Sequence, residues 1–230
     1  IHSAKSTNNR VELAAKVELS AKSALLLSIP AAMTVGILAK PILTLLFSSA
    51  LSASQLNVAA ETVQLLAVGL VFVAVGTAGA MQLWATGYMR VGILNAVIAL
   101  AVKLFLTLIL ATAEKTVSGA AFSTVAALFT YCACNAVQVT RRLRSGLDVL
   151  NSLIKPLICA MCMGTAMYFL YFALLDKIMG AAGSILAALG GYLIYIALAL
   201  AMRVLTHSDL AMLPFGPKLY DILNRTGMVK

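Results

Sequence analysis

Two lysines stand inside apolar runs, and they are the residues of this chain whose placement could do chemistry. Lys103 lies near the middle of VGILNAVIALAVKLFLTLILA (91–111), and Lys40 lies in SALLLSIPAAMTVGILAKPILTLLF (23–47). An ammonium at bilayer depth is costly, so it lines a cavity, pairs with a carboxylate, or snorkels to the headgroups along its apolar stem. At 100° per residue, Ala96, Ala99 and Thr107 fall within about 40° of Lys103, a small and polar stripe on a helix otherwise built of Leu, Ile, Val and Phe. Such a stripe suits contact with an anion. Lys40 is only about two turns from Phe47, so snorkelling is easier for it than for Lys103.

Other chemistry finds no support in the spacing. Cys132, Cys134, Cys159 and Cys162 all lie in apolar runs, without the His or carboxylate that would complete a zinc set, and read as small packing residues. His2 and His207 fall outside the apolar runs, no nucleophile is paired with a base, and no glycine-rich loop follows a strand. The expectation is a protein that is not an enzyme and has no cofactor or metal.

The elements that must hold the lysines are membrane spans. Of 230 residues 62% are hydrophobic and only 11% charged, far beyond a soluble domain. The net charge of +9 would suggest nucleic acid in a soluble protein, but here the basic residues cluster in short loops between apolar runs and report topology. The chain begins with Ile1 and has no signal-peptide pattern, and is expected to be a piece of a longer protein.

Six spans are predicted, at 23–47, 62–89, 91–111, 116–140, 156–175 and 178–202, in an all-α membrane domain over 23–205. Residues 1–22 read as a cytoplasmic or interfacial amphipathic segment, with Glu12–Lys16 and Glu18–Lys22 in the favoured helical order. Residues 206–230 read as a second amphipathic segment, in which Leu219, Ile222 and Leu223 share a face. Pro30 and Pro41 are expected to kink or break the first span, and 48–60 to form a polar loop. The sets Gly69/Gly76/Gly79, Gly119/Ser123/Ala127 and Gly183/Ala187/Gly191 are expected to let helices approach closely. Gln82, Trp84 and Tyr88 form an interfacial cluster, and Tyr192 and Tyr195 need hydroxyl partners deep in the last span.

With six spans, 13 of the 17 Lys and Arg fall on the side holding both termini, two fall on the other, and Lys40 and Lys103 make up the rest. That bias assigns both ends to the cytoplasm, in a multi-pass protein of the cytoplasmic membrane.

The segments IPAAMTVGILAKPILTLLF (29–47), MQLWATGYMRVGILNAVIALAVKLFLTLIL (81–110) and VSGAAFSTVAALFTY (117–131), together with the tail, resemble the C-terminal part of the stage V sporulation protein B family. That family belongs to the multidrug, oligosaccharidyl-lipid and polysaccharide flippase superfamily, which also contains the lipid II flippases. The likeness runs through essentially the whole chain as an ordered series of motifs. It implies part of the C-terminal lobe of a flippase-type transporter, the last six of fourteen helices, which moves a lipid-linked oligosaccharide or peptidoglycan precursor by alternating access, in sporulation. The partners implied are membrane lipids, an anionic lipid-linked glycan and the missing N-terminal lobe, without which this piece is not expected to transport. Lys103 matches a lysine position of relatives and is implied to meet an anionic headgroup in the cavity, with Lys40, Asn95 and Gln82 as further polar candidates.

Two alternatives are distinct. A drug or cation antiporter of the same superfamily needs a carboxylate inside the membrane, whereas Glu61, Glu114 and Asp176 fall at helix ends. A scaffold for cell-wall or spore-cortex assembly would recruit enzymes through the Arg141–Arg144 loop.

Overall fold

The computed structural model describes residues 2–113, 117–143 and 154–201, with side chains over 22–110, 117–142, 154–199 and 201. Most of the expected loops at 112–115 and 141–155, the whole tail at 206–230 and the side-chain pairing of Glu12–Lys16 and Glu18–Lys22 lie outside what is described.

α1 (His2–Phe47) is one helix of 46 residues, so the expected amphipathic leader and first span are continuous. It also passes through Pro30 and Pro41, where the sequence predicts a kink or a break, without a break at either. A proline removes the amide that would bond four residues back, and in a membrane helix such a carbonyl must find another donor. Pro30 strips the carbonyl of Leu26, and the Tyr195 hydroxyl takes it at 3.0 Å. Thr34 Oγ1 bonds the Pro30 carbonyl and Thr44 Oγ1 that of Lys40, both at 2.9 Å.

α2 (Ala53–Ala85) starts well before the expected residue 62, so most of the predicted polar loop is helix. Ser52 caps it: the Gln55 side chain accepts the Ser52 amide at 2.9 Å, and Ser52 Oγ accepts the Gln55 amide at 3.4 Å. This reciprocal box satisfies two donors that a helix start leaves open. α2 closes on Gly87, whose φ of +86° favours glycine. α3 (Met89–Ala113) and α4 (Val117–Leu143) follow, with Arg141 and Arg142 in the last turn of α4, where the helix dipole favours cations.

The last apolar stretch, Lys155–Ala199, is a run of 45 residues that folds back on itself. α5 (Lys155–Phe169) loosens into a π-helical stretch at Leu170–Leu175, passes through α6 (Asp176–Met179) and a 3-10 turn at Gly180–Ala182, and returns as α7 (Gly183–Ala201). Gly183 abuts Leu175 and Gly191 abuts Met167, so α5 and α7 run antiparallel. Among the described residues five helical segments, rather than the expected six, are long and apolar enough to cross a membrane, because the predicted fifth and sixth spans form this single hairpin run.

The helices lie in the order α5/α7, α1, α2, α4, α3, so α3 forms an edge. The largest core joins α1 to the hairpin and contains Leu25, Ile29, Leu38, Cys159, Met163, Met167 and Tyr195. The small-residue stripes sit where helices meet. A methyl on Gly76 would stand 2.7 Å from the Tyr131 ring of α4. Gly119, Ser123 and Ala127 are buried, as are Gly183, Ala187 and Gly191. Leu, Ile and Phe cover the outside, as lipid permits, since acyl tails are as apolar as these side chains.

Candidate functional site

Lys103 projects from α3, the helix with the least covered span, only 11% of which is buried. The lysine is exposed and has no hydrogen-bond or ion-pair partner among the described residues. Its predicted stripe follows the edge of the α3–α4 seam. Ala99 is buried, Ala96 is open, and the Thr107 hydroxyl shares a 2.8 Å hydrogen bond with the Ser123 hydroxyl of α4. The seam thus fixes the backbone that carries Lys103 and leaves its ammonium outside the packing.

Asn95, two turns earlier on α3, sits inside the helix packing. It is 3% exposed and donates to Asn135 Oδ1 at 2.9 Å, while Asn135 Nδ2 donates to the Gly76 carbonyl at 3.2 Å. One side-chain pair therefore ties α3, α4 and α2 together where no water competes. Asn135 is not among the residues singled out from the sequence, although one asparagine in each of two separate spans, Asn95 in 91–111 and Asn135 in 116–140, is a signal for such a pair.

Gln82 is half-buried in the last turns of α2, and its carbonyl accepts the Thr86 amide at 3.1 Å and the Thr86 hydroxyl at 2.8 Å. Beyond it Trp84 and Tyr88 are exposed, and the Arg142 guanidinium lies 4.7 Å from the Tyr88 ring centroid. That is cation–π distance.

Lys40 belongs to another part of the molecule. It is exposed on α1 beside the hairpin and lines a cavity of about 250 Å³ with Thr44, Tyr171 and Asp176. Since α2 and α4 stand between α1 and α3, Lys40 and Lys103 are not brought together, and Asn95 shares with Lys103 only its helix. Among the described residues no group of His, Cys, Asp and Glu could hold a metal ion.

No curated protein and no solved structure matches this chain. The family model described as Lipid II flippase MurJ matches residues 2–203. The match spans every described helix, including the edge helix with its outward lysine, and the chain therefore belongs to the MurJ lipid II flippase family, within the flippase superfamily.

Proposed function

We propose that this chain forms part of a membrane flippase for a lipid-linked peptidoglycan precursor, and that Lys103 meets the anionic part of that substrate. The observation that carries the reading is an uncompensated ammonium halfway along an edge helix. Left against acyl chains, a lysine at the centre of a span costs about 3 kcal/mol, so the face that bears it is better served by a wet cavity. The diphosphate of a lipid-linked glycan brings negative charge there, and attraction strengthens as the dielectric falls. The opposite wall is supplied by another part of the longer protein, an N-terminal lobe. In the same reading the two limbs of the 155–201 hairpin each cross the bilayer, which gives six spans, and the start of α3 with Arg90 and the end of α4 with Arg141 and Arg142 face the cytoplasm. A role in sporulation rests on the motif series alone.

In the intact protein, Lys103→Ala is expected to abolish flipping of the lipid-linked precursor in vesicles and complementation in cells, and Lys103→Arg to retain part of both. Full transport by normally expressed Lys103→Ala would reject the assignment.

A further inference from the structure

The cavity beside Lys40 has a composition that the transport reading does not use. Its walls are Lys40, Pro41 and Thr44 from α1 and Tyr171, Phe172, Asp176 and Ala181 from the hairpin. The backbone there is irregular: α5 widens to π-helical over Leu170–Leu175, and Gly180 at φ +56° lets the chain reverse. Single π turns inside helices are frequent at functional sites. The widening ends at Asp176, and the Tyr171 hydroxyl donates to Asp176 Oδ1 at 3.1 Å and reaches the Gly180 carbonyl at 3.4 Å. The carboxylate is thereby held at the cavity wall.

Lys40 and Asp176 carry opposite charge, are both exposed and line the same space, yet form no ion pair with each other among the described residues. At about 250 Å³ the cavity is smaller than the usual pocket for a drug-sized molecule and suits a compact polar group. Phe47, Leu174, Ile178 and Met179 present exposed apolar surface at this end of the helices.

We propose that this cavity binds the headgroup of a zwitterionic phospholipid with a primary ammonium, such as phosphatidylethanolamine. Its phosphate sits on the Lys40 ammonium, its own ammonium donates to Asp176, and its acyl chains lie along the neighbouring apolar residues. An anionic lipid satisfies Lys40 but is repelled by Asp176, and a free cation does the reverse. A quaternary ammonium offers Asp176 no N–H donor, so a choline headgroup binds less well.

The inference requires the membrane reading but not the substrate assigned to Lys103. The test is native mass spectrometry of the intact protein, released from detergent with phosphatidylethanolamine, phosphatidylcholine and phosphatidylglycerol in equal amounts. The expected ranking puts the ethanolamine lipid first, with its adducts lowered about tenfold in Lys40→Gln and in Asp176→Asn and kept in Lys40→Arg. Equal retention of the three lipids, or a preference that survives both neutral variants, overturns the proposal. If a variant fails to fold, the wild-type ranking decides: ethanolamine lipid first supports the site, and any other order rejects it. Lys103→Ala should leave this ranking unchanged, so failure of the flippase reading would be seen separately.

Discussion

The Tyr195 hydroxyl donates to the carbonyl of Leu26, the carbonyl that Pro30 deprives of its amide partner. A helix near the end of the chain thereby completes the hydrogen bonding of the first one, 169 residues away in sequence. Without that donor the carbonyl would be buried against apolar side chains, since Leu26 and Tyr195 both belong to the core of α1 and the hairpin.

Tyr195→Phe removes the donor and keeps the ring, and is expected to lower stability by about 1 kcal/mol, the scale of interhelical hydrogen bonds in lipid. Pro30→Ala restores an amide to Leu26, so the double variant should lose less than the sum of the two single changes. Thermal unfolding of the intact protein in detergent measures the cycle, and strict additivity would show that the two residues do not share this carbonyl.

Asn135 stands between two partners, accepting from Asn95 and donating to the Gly76 carbonyl. Asn135→Leu leaves the Asn95 amide buried and unpaired, and should cost about 1–3 kcal/mol. Adding Asn95→Leu should then cost little more, or recover part of the loss, in the same unfolding assay.

Gly76 and Gly36 make a contrast. A methyl on Gly76 meets the Tyr131 ring at 2.7 Å and the Cys132 Cα at 3.2 Å, whereas one on Gly36 finds Ala67 Cβ at an ordinary 3.7 Å. Gly76→Ala must push α4 from α2 and should cost about 1–3 kcal/mol, as overpacking does. Gly36→Ala should be close to neutral. The melting temperatures of the two variants, read side by side, test the packing.

Gly87 closes α2 with φ +86° and has no atom within 4 Å of where a side chain would start. The Tyr88 amide reaches the Leu83 carbonyl at 2.7 Å and the Gly87 amide that of Trp84 at 3.1 Å, the paired bonds of a Schellman ending. Gly87→Ala should therefore cost about 1–2 kcal/mol from backbone strain alone, with Gly87→Asn less harmful. A thermal shift of equal size for both would argue against strain as the cause.

Membrane segments were legible in the sequence because lipid imposes its rule residue by residue: about 20 apolar residues must run together, and charge must stay out. The runs around Lys40 and Lys103, the close-packing stripes at Gly76, Ser123 and Gly191, and the need of Tyr195 for a partner all follow from composition and period. The start of α2 was legible too, in Ser52 and Gln55, but their polarity reads as a loop unless the capping box is recognised. Which helices touch was not written locally. The sequence could not place Asn95 against Asn135, carry α1 through Pro30 by means of a tyrosine far along the chain, or bring Asp176 to the cavity beside Lys40. Those pairings depend on how the faces of separate helices meet, and in lipid nearly every face is apolar enough to be inside or outside, so only the assembled packing chooses among them.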